Sequence, residues 1–196
     1  MKTLFLVVGA IGSGKSSVCK YLFSESKLGK IVFIASDEYK KKYFDVEVTK
    51  GNKGYRAADE LMMEALEMAA TDNNVENILV EFCPMRQNKI RTILSIVNKY
   101  SLKVVLIIVH TENSEINVNR TLVRNETSDR VDQKKVLQSH EYVFINSFIF
   151  IESASSVYFI DNSKTVPKIA GFLKNNTMSI LDTKCRWVQK ISERLS

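Results

Sequence analysis

At 196 residues, 45% of them hydrophobic and 26% charged, the chain suits one α/β domain with a sizeable core and leaves no room for a second folded unit. Lys and Arg outnumber Asp and Glu by 28 to 22; the excess favours a phosphate-rich partner, but it is spread along the chain and forms no basic arm for nucleic acid. Cys19, Cys83 and Cys185, odd in number and without C-x-x-C spacing, argue against a disulfide framework or a zinc site and for a reducing, cytoplasmic compartment.

Leu4 to Val8 is a continuous apolar run, the pattern of a strand buried on both faces. With Met1 and Lys2 before it the run mimics a secretory leader, yet it leads straight into Gly9-Ala10-Ile11-Gly12-Ser13-Gly14-Lys15-Ser16, which cleavage near Ala10 would destroy. No other stretch is long and apolar enough for a membrane span. A helix is expected over Ser17 to Phe23, then a second strand at Ile31 to Ala35 ending in Ser36-Asp37-Glu38. Residues 44 to 55, with Gly51, Asn52 and Gly54, read as a loop, and Ala57 to Ala70 as an amphipathic helix through Ala58, Leu61, Met62, Ala65, Leu66 and Ala69. Ile78 to Val80 is a third strand capped by Glu81, and residues 86 to 100 a helix on Ile90, Ile93, Leu94 and Val97. Val104 to Val109 is the fourth strand, Thr111 to Glu126 a helix with Arg120 and Arg124 on one face, and residues 131 to 151 a long helix. Val157 to Ile160 is the fifth strand, ended by Asp161-Asn162-Ser163, and Pro167 is expected to open a final helical segment. Strand and helix alternating five times predict a five-stranded parallel sheet covered on both faces, with ligands at the carboxyl ends of its strands.

The loop from Gly9 to Ser16 matches G-x-x-x-x-G-K-[ST] at every fixed position and has the strand and helix that pattern requires on either side. Gly9, Gly12 and Gly14 let backbone N–H groups turn inward around phosphate oxygens; Lys15 adds a mobile, solvent-facing charge, Ser16 offers a hydroxyl to Mg²⁺, and the helix opening at Ser17 points its positive end at the same anion. A nucleoside triphosphate is the expected ligand. Asp37, at the neighbouring strand end, can take the proton of an attacking hydroxyl, or else cap a turn. Glu81 can hold Mg²⁺ or a substrate hydroxyl, or else serve an ion pair. Arg120, Arg124 and Arg130 can stabilise charge on a transferring phosphoryl group, or else form a solvated face with Glu126 and Asp129. His110 and His140 read as structural.

From Leu4 to Leu173 the chain resembles the zeta-toxin and UDP-N-acetylglucosamine kinase group of phosphate-loop kinases, which is related to the polynucleotide kinase-like enzymes. The resemblance rests on Gly9 to Ser16, Ile34-Ala-Ser-Asp-Glu-Tyr-Lys40, Val80-Glu81, Arg120 to Arg130, and Tyr158-Phe-Ile-Asp-Asn-Ser163 followed by Pro167. It implies a three-layer P-loop kinase-type sandwich in one domain, with a lid over about 111 to 135 and a helical extension over about 176 to 196. It also implies ATP and Mg²⁺ as cofactors, with Asp37 as general base, Glu81 and the adjoining Cys83 at the acceptor, Arg120 and Arg130 on phosphates, and Asn162 and Ser163 near the adenine. Two departures, Asn125 to Asp129 in place of a Gly-Gly-His motif and Cys83 in place of a small hydroxyl residue, bear on the acceptor. The expected activity is ATP-dependent phosphorylation of a small, phosphate-bearing hydroxyl acceptor such as a nucleotide sugar, and a protein antitoxin is a conceivable partner. The alternatives are a polynucleotide or nucleoside 5′-hydroxyl kinase, for which nucleic acid would be the partner, and a non-catalytic nucleotide-binding regulatory module. A guanine-type switch is disfavoured, because Asn98-Lys99-Tyr100 is followed by Ser101 and no D-x-x-G segment occurs.

Overall fold

Among the described residues, seven strands form one sheet in the order β2-β3-β1-β4-β5-β6-β7. They are β1 (Thr3–Gly9), β2 (Ile31–Ala35), β3 (Asn77–Phe82), β4 (Lys103–His110), β5 (Ser156–Asp161), β6 (Lys168–Lys174) and β7 (Thr177–Ile180). The helices are α1 (Lys15–Glu25), α2 (Asn52–Thr71), α3 (Gln87–Lys99), α4 (Ser114–Asn125), α5 (Gln133–Ile151) and α6 (Arg186–Leu195), and residues 37–39 are also helical. The structure, a computed structural model, describes residues 1–25, 29–35, 37–39, 52–125 and 131–195.

The strands β1 to β5 pair in parallel, as their near-continuous apolar sequences require, since such strands need cover on both faces. One face packs Val7, Leu79, Ile107 and Val109 against Val18 and Cys19 of α1. The other packs Leu4, Leu6, Val80, Leu106 and Phe159 against Met62 and Leu66 of α2, Ile90 and Ile93 of α3, Phe150 of α5, and Trp187, Val188 and Ile191 of α6. Three layers result, and the register sets Gly9 beside Val109, Ala35 beside Glu81 and His110 beside Asp161, so the polar strand ends share one edge.

Two expectations are corrected here. The sheet has seven strands and not five, because the segment after Pro167 is an antiparallel hairpin and not a helix. Asn175 and Asn176 take φ values of 50° and 59°, the left-handed pair that a tight hairpin turn needs, and β6 covers the edge of β5 that would otherwise be left unpaired. Within the expected helical extension, Thr177–Ile180 is therefore a strand and only Arg186–Leu195 is helical. At the other end of the chain, Asn52 and Gly54 belong to α2 and not to a loop. Gly54 falls in the first turn of α2, where a glycine costs less than in a helix interior, and the buried stripe of Ala58, Met62, Ala65, Leu66 and Ala69 holds the helix against the core. Residues 44–51 of that expected loop lie outside the described residues. No helix among the described residues is long and apolar enough to cross a membrane.

Candidate active site

The loop after β1 turns through Gly12 at φ 77° and Gly14 at φ 89°, conformations that glycine adopts without the penalty a Cβ would bring. Space demands glycine as well. A Cβ on Gly12 would stand 2.5 Å from the Asn117 carbonyl oxygen, one on Gly9 would stand 2.6 Å from Ser13 Oγ, and one on Gly14 would strike the side-chain amide of Asn162. The loop is thus pressed between α1, α4 and the end of β5.

Two hydrogen bonds from distant parts of the chain, and one within the loop, fix its shape. The Ile11 N–H donates to Ser139 Oγ at 3.0 Å, and that hydroxyl donates in turn to the Val136 carbonyl on α5. Asn162 Nδ2 donates to the Ser13 carbonyl at 2.7 Å, while the Asn162 N–H donates to the His110 carbonyl. Lys15 does not face solvent as expected: its Nζ donates to the Ala10 carbonyl at 2.8 Å, folding the charge back over the loop.

Ser16 Oγ, at the first turn of α1, donates to Glu81 Oε1 at 2.7 Å, and Glu81 is buried on β3. One hydroxyl and one carboxylate at the lip of a phosphate loop are hard oxygen donors of the kind Mg²⁺ takes, with phosphate and water completing its octahedron. Beneath them, Cys19 is buried against Glu81; burial, and then the carboxylate's charge, push its thiol pKa up. Cys83 follows β3 within electrostatic reach of Lys15, Lys89 and Asp37; burial raises its pKa and the two lysines oppose the rise, so it is a neutral thiol. The segment beyond it is anchored by Asn146 Nδ2, which donates to the Pro84 carbonyl at 2.7 Å. Asp37 is exposed at the start of the helical residues 37–39.

The proposed lid is only partly described. Arg120 donates from one terminal nitrogen to the Lys164 carbonyl at 3.2 Å, and its other terminal nitrogen is buried without a hydrogen-bond partner among the described residues. Arg124 is exposed one turn further on, and Arg130 lies outside the described residues, as do Glu126 and Asp129. After β5, Ser163 Oγ donates to Asp161 Oδ1 at 2.6 Å and accepts from the Glu112 N–H at 2.8 Å, which ties the ends of β4 and β5 together. Asn162, expected near the adenine, is buried with its amide committed to the loop. The sequence reading missed Asn117, Thr121 and Ser139 as supports of the loop. Their only signal is a polar side chain on the buried side of a helix, as with Ser139 between Val136 and Val143 on α5.

A glycine cradle joining a buried strand to the first turn of a helix, at the carboxyl edge of a parallel sheet, defines a phosphate-loop nucleotide-binding domain. The chain belongs to the AAA domain family, whose model matches residues 6–142. No curated protein sequence matches it. Among solved structures, a chain of the AvrRxo1-ORF1:-ORF2 complex with ATP is similar with a TM-score of 0.69 at 14% identity, covering 100% of this chain and 63% of that one. A chain from the PezAT toxin–antitoxin system of Streptococcus pneumoniae has a TM-score of 0.63 at 13% identity, covering 100% and 86%. Shikimate kinase from Acinetobacter baumannii, solved with shikimate, has a TM-score of 0.55 at 14% identity, covering 100% and 93%. At these identities the likeness is one of fold.

Proposed function

We propose that the protein is an ATP- and Mg²⁺-dependent kinase that phosphorylates a hydroxyl of a small, phosphate-bearing acceptor, with a nucleotide sugar as the leading candidate. The observation that carries this reading is the 2.7 Å contact between Ser16 Oγ and Glu81 Oε1 beside a preformed phosphate cradle. Mg²⁺, held by these two oxygens, would neutralise charge on the triphosphate. The cradle from Gly9 to Ser17 then fixes the phosphates through its N–H groups, and Lys15 leaves the Ala10 carbonyl for a phosphate oxygen, exchanging a neutral acceptor for an anionic one.

Asp37 accepts the proton of the acceptor hydroxyl as that oxygen bonds to the γ-phosphorus and the bridge to the β-phosphate breaks, releasing ADP. Arg120, whose terminal nitrogen is buried without a partner among the described residues, stabilises charge spread over the transferring group, with Arg124 and Arg130 on the same lid. Ser163 borders the nucleotide, and Glu81 and Cys83 border the acceptor. A protein partner covering the site is in keeping with the toxin–antitoxin system named for one similar structure.

The test is phosphate transfer from ATP with Mg²⁺ to nucleotide sugars, nucleosides and 5′-hydroxyl oligonucleotides, with products identified by mass. Transfer to a nucleotide sugar that disappears in Lys15→Ala is expected. Transfer to oligonucleotides alone would overturn the acceptor assignment, and tight ATP binding with no transfer to any acceptor would leave a regulatory module in its place.

A further inference from the structure

On the sheet face opposite α1, where the end of β4 passes beneath α5 and α6, lies an open cavity of about 520 Å³. His110, Phe144 and Trp187 line it, and the His140 ring lies over His110 with centroids 4.2 Å apart and planes at 32°. Trp187 meets His110 edge-on at 5.1 Å. His110 is only 4% exposed, and its Nδ1 has no hydrogen-bond partner among the described residues. An unmet polar atom in a cavity lining is a cost that folds rarely carry without use. The rim is charged: Glu141 on α5, Arg186 and Lys190, a turn apart on α6, and Glu112, whose Oε1 accepts from the Arg186 N–H at 2.7 Å.

Aromatic faces recognise flat rings, carboxylates accept from amino groups, and paired cations hold an anion. The cavity is also tied to the phosphate loop on two sides. Ser139, which receives the Ile11 N–H, immediately precedes His140. The His110 carbonyl accepts from the Asn162 N–H, whose side chain holds Ser13, and Trp187 Nε1 reaches Asp161 Oδ1 at 3.4 Å. We infer that this cavity is a second small-molecule site, separate from the phosphate loop, for a flat heteroaromatic ring bearing an amino group and an anionic arm, the chemistry of a nucleoside monophosphate. Its occupancy is felt at the loop through Ser139 and Asn162.

Trp187 is the chain's one tryptophan, so its emission reports on the cavity directly. The full chain, saturated with a non-hydrolysable ATP analogue to fill the phosphate loop, is titrated with AMP. A saturable change in emission is expected, with adenosine and inosine monophosphate each binding more weakly because one lacks the phosphate and the other the amino group. Lys190→Glu, an exposed change remote from the loop, is expected to weaken AMP by about tenfold at an unchanged melting temperature. Lys15→Ala is expected to keep the AMP response, which separates this inference from the kinase reading. AMP must also change the analogue's affinity, since coupling between two sites is reciprocal. No saturable response, loss of the response once the analogue fills the loop, or equal AMP affinity in Lys190→Glu would overturn the site. Analogue affinity indifferent to AMP would overturn the coupling.

Discussion

Around the phosphate loop, geometry is imposed from far along the chain: Asn117 packs on Gly12, Ser139 accepts from Ile11, Asn162 holds Ser13, and Glu81 receives Ser16. At the position proposed for the acceptor, Asp37 is exposed on a short helical stretch, and Cys83 is a neutral thiol within electrostatic reach of it. The difference separates two tasks. Stabilising charge on a phosphoryl group in flight requires dipoles fixed before the reaction, whereas choosing an acceptor requires only a complementary surface, which can vary without disturbing the first task.

The largest expected effect tests the acceptor side. Asp37→Asn should lower phosphate transfer by about 10²- to 10⁴-fold while ATP-analogue affinity and melting temperature stay near the parent's, because the side chain is exposed. Parental turnover across about pH 6 to 9 would move the base elsewhere, with Glu81 next to examine. Next, Lys15→Ala should cost transfer on the order of 10²- to 10³-fold, with little loss of stability, since the bond it gives up, to the Ala10 carbonyl, contributes about 1 kcal/mol net. A large drop in melting temperature would instead make Lys15 a structural strut and erase the distinction between the two sides.

The third effect is a pH dependence. Burial, and then the charge of His140, push the His110 pKa from 6.5 down to about 3. Between those values the unfolded chain binds the proton and the folded chain does not, so stability is full above about pH 6.5 and falls by a few kcal/mol towards about pH 3. Melting curves across that range should show the acid limb flattened in His110→Gln. The smallest effect belongs to Asn162→Ala, which frees the Ser13 carbonyl and should lower stability by about 1–3 kcal/mol and weaken nucleotide binding without altering acceptor preference. A changed acceptor preference in that variant would show that the two sides are not independent.

What could be read from the sequence divides along the same line. The phosphate loop is legible because its glycines, lysine and serine answer to backbone geometry within a few residues, and β1 to β5 are legible because doubly covered strands are uniformly apolar. Ser139 and Asn117 were not legible as loop supports. Only the fold reveals that they meet residues more than a hundred positions earlier, as Ile11 and Ser139 do with 128 between them in numbering. The β6–β7 hairpin was missed because Ile169, Ala170, Phe172 and Leu173 after Pro167 also fit one helix face, and the Asn175-Asn176 pair was the turn signal that should have decided it.

The order in which the chain is made adds a consequence to the bonds around the loop. Gly9 to Ser16 are synthesised more than a hundred residues before Ser139, Asn162 and the Trp187 side chain that joins Asp161. Contacts so remote in sequence carry a large closure entropy and form late in folding. A nascent chain therefore carries its phosphate-binding motif long before that motif can take its binding shape, and nucleotide can assist folding only once the segment from Ser139 to Trp187 has arrived.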